Sequence, residues 1–549
     1  MSEITRKSKF YRALEILPGF TTWTTFIGGI ILSYYQPVWV AIFIIIFDLY
    51  FFFMALNILF HLLHTYGALK VHKSQDWLDR CEKLSDTEKL LEQLKLEREQ
   101  TKEKGKINFL NDEINKLSLL SRNKKTLNYR DIHHIILLPM VTEPYEIIRS
   151  SVDSYYKSNF LKDNMILALA VEERGGEEKR KIAERVASEF SGKFGKVLVI
   201  VHPDGQSGEA RVKGANITYA GRQMKKVIDE MGLKYENVIV SAFDADTVVG
   251  PDYFAKLTYV YLTQEAPTRA SYQPTPLFHN NVWETPAVNR ISAASNSFWQ
   301  MIESSRPDRL ITFSSHSMSM RTLVDVDFWP VDVIPDDSRI FWKCFLHYNG
   351  DYRVVPLYTV VSLDAVALPT YTASLAGQYK QYRRWAWGVI DFAYLVNGFV
   401  KNKSIPLWRK ILYAYRLFIV HYLWANAAVL IAVLGWLPLI LGSGRFENEV
   451  FAFNLPQTTR IILTLAMSFL IASVVLNYLL LPNRPRGRKR FQSAGMILQW
   501  LLVPVVSIFV HALPAIDAQT RLMFGRYMEF WVTPKHRDSE KIVESSRND

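Results

Sequence analysis

Two long apolar runs near the start of the chain, residues 17–35 and 38–63, constrain its fold more than any other feature. Only Gln36 and Pro37 separate them, and each run is long enough to cross about 30 Å of hydrocarbon as a helix. A cleaved signal peptide explains them less well, because the second run follows at once and no small-residue cleavage pattern intervenes. We therefore predict a transmembrane hairpin over residues 1–65.

Apolar blocks return after residue 400. Residues 411–424 include Arg416 and His421, which are costly inside a bilayer, so this stretch is predicted to lie along the membrane surface. Residues 427–441, 461–481 and 496–513 are predicted spans, which makes five in all. The region 401–520 is thus an interface helix followed by transmembrane helices.

Positive charge predicts the orientation of these spans. The chain carries a net charge of +12, and its basic residues cluster beside the apolar runs, at the N-terminus and in the loop 484–490. Such residues favour the cytoplasmic side, which explains the charge without nucleic acid. Five spans would leave the tail 521–549 outside, whereas Arg521 and Arg526 place it inside. Pro504 and Pro514 permit a broken or re-entrant last segment, which would remove the conflict.

Residues 66–130 have a different composition, rich in Lys, Glu and Leu. Ile107, Leu110, Ile114 and Leu117 recur at helical spacing. We predict a cytosolic helical hairpin and assign it no chemistry. Two cysteines far apart in sequence provide neither a disulfide framework nor a zinc site.

Strand and helix patterns alternate from residue 131 to about 250, which predicts an α/β domain with a mainly parallel, Rossmann-like sheet covered on both faces. Ligands bind such sheets at the carboxyl ends of strands. Polar residues follow four predicted strands at these ends, and they should converge on one crevice: Thr142 and Glu143, Glu172 and Glu173, residues 202–206, and Asp244 with Asp246. There is no glycine-rich phosphate loop, so a metal ion must help to hold phosphate.

The predicted strand 238–243 ends in Asp244 and Asp246. Two carboxylates at the edge of a sheet are hard oxygen ligands, suited to a Mg²⁺ or Mn²⁺ ion that carries a diphosphate. An Asp-x-Asp pair alone is a weak signal, since a solvated strand end has the same pattern. Asp325 and Asp327 repeat the letters without an apolar strand before them, and we interpret that copy as a surface turn.

Two later stretches carry further chemistry. Asp336 and Asp337 precede an apolar, aromatic run, and the stretch 381–385 reads Gln-Tyr-Arg-Arg-Trp. Guanidinium groups suit the diphosphate of a leaving nucleotide, and a tryptophan face suits the apolar face of a sugar ring.

In this order and spacing the chain resembles the membrane-embedded family 2 glycosyltransferases, which include cellulose, chitin and hyaluronan synthases. The resemblance covers residues 131–400 and, in arrangement only, the flanking spans. It implies a cytosolic GT-A domain between transmembrane helices. The matching residues are Asp244 and Asp246, the acidic pair Asp336 and Asp337, the Gln-x-x-Arg-Trp stretch 381–385, the turn at Thr142 and Glu143, and the segment 211–216 ending in Asn216.

The resemblance also implies roles. Asp337 is the catalytic base, Asp246 helped by Asp244 binds Mg²⁺ or Mn²⁺, and Arg384 holds the diphosphate. Gln381 and Trp385 position the acceptor. On the donor side the nucleotide is contacted by residues at the strand ends and in the segment before the metal-binding strand, which are Thr142, Glu143, Glu172 and Asn216.

Each role has a structural alternative. Asp337 could cap a helix, Arg384 could form a structural salt bridge, and His316 is interpreted as a loop histidine with satisfied hydrogen bonds. The chain also departs from the family: Glu172 or Glu173 replaces the usual Asp, Asp336 replaces Glu, and Ser315-His316 stands where the synthases have glycine then serine. A larger side chain there would narrow an acceptor channel.

Three functions follow as hypotheses. The first is an inverting transferase that elongates a polysaccharide from a nucleotide sugar, with UDP suggested by the resemblance, and exports it through its own spans. The second transfers one sugar to a lipid-linked acceptor. The third is a membrane scaffold without turnover, against which the intact carboxylates argue. The expected location is the cell or inner membrane, with membrane lipids as partners, no nucleic acid, and the catalytic domain in the cytoplasm.

Overall fold

The computed structural model describes residues 8–122, 128–442, 450–482 and 491–534. It begins with two long helices, α1 (Lys9–Tyr35) and α2 (Pro37–Lys73), joined at Gln36. Pro37 is the first residue of α2, where its missing N–H leaves no hydrogen bond unmade. Both apolar runs are therefore helical, and the break between the helices lies at the predicted position. The basic residues Arg6, Lys7 and the loop 484–490 lie outside the described residues.

The charged region forms three helices, α3 (Trp77–Lys83), α4 (Thr87–Gln100) and α5 (Lys104–Arg122). The last two pack on each other and bury Leu90, Leu94, Leu110 and Leu117. The predicted helical hairpin is thus observed. It also docks on the next domain, where the Cys81 thiol donates to the Ala255 carbonyl over 3.2 Å.

The central domain is built on an eight-stranded sheet with the order β3-β2-β1-β4-β7-β6-β8-β5. Strands β3, β2, β1 and β4 run parallel, as do β6 and β8, while β7 and β5 pair antiparallel with their neighbours. The sheet is therefore mixed and mainly parallel, as predicted. The strands are β1 (His133–Met140), β2 (Met165–Glu172), β3 (Lys196–His202), β4 (Val238–Ala242), β5 (Val248–Val249), β6 (Ala270–Leu277), β7 (His316–Ser319) and β8 (Arg353–Ser362).

Helices cover both faces of this sheet. β2 is buried along its whole length and β1 nearly so, because apolar side chains from both strands enter two separate cores, one on each face. The helices of the domain are α6 (Tyr145–Tyr156), α7 (Gly176–Glu189), α8 (Lys213–Glu230), α9 (Tyr253–Leu262), α10 (Ala287–Ser304), α11 (Met320–Asp325), α12 (Asp336–His347), α13 (Tyr371–Ala386) and α14 (Ile390–Lys401).

The next helix differs from the prediction. A single helix, α15 (Leu407–Ala432), runs through the stretch predicted as a surface helix and ends inside the predicted span 427–441. The chain then makes a short 3₁₀ turn and the helix α16 (Leu437–Leu441). Pro438 accounts for the break, because proline cannot continue the helical hydrogen bonding of the residues before it. The charge of Arg416 is accommodated by a bond of 2.8 Å to Asp308.

Five helical segments in the described residues are long and apolar enough to cross a membrane, and they include α1, α2, α15 and α17 (Val450–Leu480). The fifth, residues 495–523, is broken into α18 (Phe491–Leu498), α19 (Val503–Val506), a π-helix (Ser507–Ala512) and α20 (Leu513–Met523).

The two ends of this fifth segment have partners near the start of α1 and in the later part of α2. Trp500 stacks on Phe298 at 6.2 Å and belongs to the same apolar cluster as Leu62 and Leu69 of α2. At the other end, Arg12 near the start of α1 donates to the carbonyl groups of Leu522, over 2.7 Å, and Met523. This segment thus contacts the start of α1 and shares an apolar cluster with the later part of α2.

Candidate active site

Asp244 and Asp246 follow β4 but have different partners. One oxygen of Asp244 accepts from the Lys213 ammonium over 2.9 Å, and the other accepts from the Ser314 hydroxyl. Asp246 is buried, and its carboxylate accepts from the backbone N–H of Asp364 over 2.8 Å. The first carboxylate thus faces a cluster of charged side chains, while the second is fixed by the loop after β8.

Lys213, the first residue of α8, is the centre of that cluster. Its Nζ atom lies 2.9 Å from an oxygen of Asp244, 2.9 Å from Asp337 and 4.0 Å from Asp336. Its side chain is only 12% exposed. Burial alone would lower the pKa of Lys213, but the three carboxylates, led by Asp244, raise that pKa well above its ordinary value. The ammonium is therefore firmly charged.

The acidic pair opens α12, where the helix dipole favours negative charge. Asp337 binds Lys213 through both oxygens, at 2.9 and 3.1 Å. Its backbone carbonyl accepts from the Thr312 hydroxyl over 2.6 Å. The side chain, 24% exposed, is engaged by the lysine, while Pro335 occupies the position that caps the helix.

Asp336 is more deeply buried than its neighbour. Its Oδ2 atom has no hydrogen-bond partner among the described residues. Burial, followed by the charge of Asp337, raises the pKa of Asp336 to about 8. The protonated form of this carboxyl is therefore favoured by its surroundings.

The two arginines of the 381–385 stretch point to different partners. Arg383 forms a 2.8 Å ion pair with Asp517 of α20, which is a structural link between helices. Arg384 lies within electrostatic reach of Asp244, Asp336 and Asp337, and burial lowers its pKa while these carboxylates oppose that shift. Its Nε atom lacks a hydrogen-bond partner within the described part of the chain, and its guanidinium lies 5.1 Å from the Phe530 ring centroid.

Gln381 and Trp385 are the other predicted site residues of this stretch. Gln381 accepts a 3.1 Å hydrogen bond from Gln378. Trp385 packs against Tyr382, at a centroid distance of 5.0 Å, and against Phe278, at 6.2 Å. The indole is half-buried, so one part of it remains accessible.

Glu143, which follows β1, turns back onto its own loop. Its carboxylate accepts from the backbone N–H groups of Val141 and Thr142, over 2.6 and 2.9 Å. Glu172 forms a 2.5 Å ion pair with Arg174, and burial raises its pKa. These residues lie at the carboxyl ends of β1 and β2, as predicted.

Asn216 lies elsewhere. It is fully buried one turn into α8, and its side-chain NH₂ donates to the Ala170 carbonyl of β2 over 2.8 Å. Glu173, the alternative to Glu172, accepts from the backbone N–H of Asp204 over 2.9 Å. The first contact fastens helix to sheet, and the second links the loops after β2 and β3.

The structure shows how Ser315 and His316 are accommodated at the position where the resemblance predicts glycine and then serine. Ser315 has φ of 65°, a left-handed conformation that glycine adopts without strain, and its hydroxyl bonds Thr247 at 2.8 Å. His316 is buried, with Nε2 accepting from the Trp329 indole over 3.1 Å and Nδ1 lying 2.8 Å from the Phe313 carbonyl. Both ring nitrogens are therefore satisfied, as interpreted from sequence, but His316 is the first residue of β7 and does not lie in a loop.

The residues present fit a divalent cation in their chemistry. No group of three or more His, Cys, Asp or Glu side chains that could hold a metal occurs in the ranges the structure describes. Mg²⁺ and Mn²⁺, however, are commonly held by one or two carboxylates together with substrate phosphates and water. Asp244 and Asp246 supply such a pair.

Sequence reasoning missed the central residue, Lys213. The segment 211–216 entered only through resemblance, and its asparagine rather than its lysine was predicted to contact the nucleotide. One signal could have found it. A lysine that opens a helix directly after a strand loop lies at the carboxyl edge of the sheet, where the predicted carboxylates gather.

One family model matches part of the chain. Residues 239–481 match a family model described as glycosyl transferase family group 2, and this match supports sugar transfer by a family 2 glycosyltransferase. No curated protein matches the chain.

Solved structures with similar folds were also found. A mannosyltransferase from Pyrobaculum calidifontis in complex with GDP-Man and Mn²⁺ is 14% identical, with a TM-score of 0.39 over 72% of this chain and 88% of that one. S. aureus TarS 1–349 in complex with UDP-GlcNAc is 10% identical, with a TM-score of 0.34 over 73% of this chain and 94% of that one.

Proposed function

We propose that this chain is a membrane-bound inverting glycosyltransferase that transfers a sugar from a UDP-sugar to a growing polysaccharide at the cytoplasmic face of a membrane. One observation carries the proposal. Segments far apart in sequence meet here: Asp244 after β4 and Asp337 at the start of α12 both bind Lys213, and Arg384 lies within electrostatic reach of the same two carboxylates. Such an arrangement supplies a base and two cations at one place.

The chemistry is a direct displacement. The acceptor hydroxyl oxygen attacks the anomeric carbon, the bond from that carbon to the diphosphate oxygen breaks, and the nucleoside diphosphate leaves with the electron pair. Asp337 takes the proton of the acceptor hydroxyl. Lys213 and Arg384 stabilise the negative charge that develops on the diphosphate. Gln381 and the exposed part of Trp385 position the acceptor sugar.

The donor-side residues would hold the nucleotide. Thr142, Glu143 and Glu172 lie at the strand ends nearest the cluster and would contact the base and ribose. A Mg²⁺ or Mn²⁺ ion, held by Asp246 and Asp244, would neutralise phosphate charge when bound. Asn216 acts through α8, since its bond to Ala170 holds the helix that presents Lys213.

Four crossings of the membrane are proposed, by α1, α2, α15 and α17. The segment 495–523 is broken into short helices, its end is held by Arg12 near the start of α1, and Trp500 shares an apolar cluster with the later part of α2, so we propose that it is an interfacial segment. With four crossings the tail lies on the same side as the N-terminus. This arrangement agrees with the positive charge of Arg521 and Arg526.

Transfer of a single sugar to a lipid-linked acceptor is the second candidate. The Ser315-His316 pair favours it, because His316 Nδ1 lies 3.7 Å from an oxygen of Asp337, where a channel for a long product would need room. Product length separates the two candidates. A polysaccharide synthase yields chains of many sugars, whereas the alternative yields one sugar on each lipid.

The test is nucleotide release by the purified full chain in lipid nanodiscs, across UDP-, GDP- and TDP-sugars with Mg²⁺ or Mn²⁺. We expect release from one donor, dependent on metal and abolished by Asp337→Asn. The matched control is Asp327→Asn, which removes a charge from the exposed Asp-x-Asp copy paired with Arg222. Equal release by Asp337→Asn and wild type would show that the base is misplaced. Release from none of the donors, with and without added acceptors, would contradict the transferase.

A further inference from the structure

An aromatic groove lies between the candidate membrane helices α2 and α15. It encloses about 200 Å³. Several of its side chains, including Phe43, Tyr50 and Tyr415, are exposed on the surface of the helix pair. The groove is lined by Phe43, Phe47 and Tyr50 of α2 and by Tyr415, Ile419, Tyr422 and Leu423 of α15.

A loop of the catalytic domain closes one end of this groove. The loop begins after α10, where the Ser305 hydroxyl lies 2.8 Å from His61 Nδ1 and Arg306 donates to the Asn57 side chain, both on α2. Asp308, three residues after Ser305, accepts from Arg416 of α15 over 2.8 Å. The loop thus bridges the two helices across the mouth of the groove.

The loop and helix α15 bring three guanidinium groups together at this mouth. Arg309 is paired with Glu303 through two hydrogen bonds, and Arg416 is paired with Asp308. Arg306 is held by an amide oxygen and lies within reach of the other two arginines. Three cations face two carboxylates, so the mouth carries one excess positive charge. Burial, followed by Arg309, lowers the pKa of Arg306, as expected for a crowded cation.

The aromatic groove adjoins these guanidinium groups. The Tyr50 side chain lies within electrostatic reach of Arg309 and of Tyr415 on the opposite wall. An elongated ligand with an anionic head and an apolar chain would therefore match the mouth and the groove together. Guanidinium groups recognise phosphate through paired hydrogen bonds.

We infer that this groove binds one anionic phospholipid of the bilayer, with its phosphate on Arg306 and Arg416 and one acyl chain between α2 and α15. The surrounding bilayer supplies such a ligand directly, since both helices are apolar enough to cross it. The excess positive charge selects an anionic head over a zwitterionic one.

The lipid also has a route to the proposed active site, so this step rests on the proposed function. After Arg309 only three residues lead to Thr312, a backbone reach of at most about 11 Å. Thr312 donates to the Asp337 carbonyl, and Ser314 donates to Asp244. A phosphate that fixes the loop would therefore help to hold both carboxylates, and transfer would be faster in anionic lipid.

The test measures lipid retention and turnover separately. The full chain is exchanged between nanodiscs of phosphatidylcholine alone and of phosphatidylcholine mixed with phosphatidylglycerol, and the phosphatidylglycerol that remains after detergent extraction is counted by mass spectrometry. We expect enrichment over phosphatidylcholine in wild type. Because charged hydrogen bonds are lost, Arg306→Gln/Arg416→Gln should reduce this enrichment about tenfold. Lys401→Gln/Lys403→Gln removes the same charge from exposed sites nearby and should not.

A second variant, Ile419→Trp, fills the groove and leaves all three arginines in place, so it tests the site even if the double variant misfolds. It should also displace phosphatidylglycerol. Retention unchanged in both variants, no enrichment in wild type, or complete displacement by millimolar inorganic phosphate would overturn the lipid site. Retained lipid without nucleotide release in any disc would instead contradict the transferase and leave the lipid site standing.

Discussion

Two lysines of the catalytic domain are buried, and their surroundings differ in almost every respect. Lys213 lies among Asp244, Asp336 and Asp337 at the edge of the sheet. Lys256 of α9 is buried where α3 packs on the central domain. Its ammonium donates to the Tyr358 carbonyl over 2.6 Å and lies 4.9 Å from the Trp77 ring centroid. The first has charged partners, and the second has a carbonyl and aromatic rings.

The pKa values of the two buried lysines are therefore shifted in opposite directions. Asp244, Asp337 and Asp336 overcome the burial of Lys213 and raise its pKa well above the ordinary value. Burial lowers the pKa of Lys256 well below it, against weak opposition from Glu113. A buried lysine is suited to charge stabilisation only where carboxylates keep it charged, so burial alone does not identify a functional lysine.

Both pockets also contain a non-glycine residue in a left-handed conformation. Ser315 has φ of 65° beside Asp244, and Tyr358 has φ of 46° in β8. Tyr358 lies close to the irregularity in the pairing of β6 with β8, which occurs between Gln273 and Thr275. Lys256 binds the Tyr358 carbonyl, so its role is to satisfy an irregular strand.

The largest expected difference between the pockets is in activity. Lys213→Met should reduce nucleotide release by about 10²–10³-fold, because a cation facing the leaving diphosphate is removed. Lys256→Met should leave release within a few-fold of wild type. The check is single-turnover release by both variants in the same nanodiscs. Comparable losses in the two variants would abolish the distinction between a functional and a structural lysine.

The next expected difference concerns the pH dependence of stability. Because folding raises the pKa of Asp336 from about 4 to about 8, its contribution to stability is complete below pH 4 and is lost as pH rises through 8. Asp336→Asn should flatten the fall of the thermal unfolding midpoint between about pH 5 and 8. Asp327→Asn is the control, and parallel curves for Asp336→Asn and wild type would refute the raised pKa.

The contribution of Lys256 to stability should change with pH in the opposite direction. Folding lowers its pKa, so its contribution to stability is complete above the ordinary value of 10.5 and is lost as pH falls toward the lowered pKa. Lys256→Met leaves the Tyr358 carbonyl unpaired and should reduce the free energy of unfolding by about 1–3 kcal/mol. The loss should be larger at pH 9 than at pH 7, as measured by thermal unfolding of both proteins. An equal loss at the two pH values would argue against a lowered pKa.

The smallest expected effect is at Ser315. Ser315→Gly removes the left-handed strain of about 1 kcal/mol and also removes the hydroxyl that bonds Thr247, so the free energy of unfolding should change by less than about 1 kcal/mol. Thermal unfolding and product length are measured together. A gain in product length without a change in stability would show that the serine limits the channel and would favour the polysaccharide reading.

Much of the fold and part of the site could be predicted from sequence. Long apolar runs and abrupt changes of polarity predict the helices α1 and α2 and the strands β1 to β4. These patterns depend only on residues that are neighbours in the sequence. Asp244, Asp337 and Arg384 were found through motifs. The structure places Asp244 and Asp337 against Lys213 and Arg384 within electrostatic reach of the same carboxylates, and the surroundings of Lys213 depend on these distant partners.

The errors have related causes. The end of α15 depends on Pro438 and on Arg416 meeting Asp308, a partner 108 residues away. Asn216 has a polar side chain but a core position, because the Ala170 carbonyl satisfies it. Periodicity and motif spacing report local preference, and these outcomes are decided by contacts between remote parts of the chain.

One contact has consequences for how the molecule is made. Glu15 of α1 is completely buried, and it is held by Arg12 and by Tyr527, 512 residues later in the chain. A ribosome adding about 5–20 residues per second needs roughly half a minute to two minutes to reach that tyrosine. During that time α1 has been synthesised, but one partner of its buried carboxylate does not yet exist. The packing of α1 is therefore completed only when Tyr527 has been synthesised. A nascent chain that stops before residue 527 leaves Glu15 without this hydrogen bond.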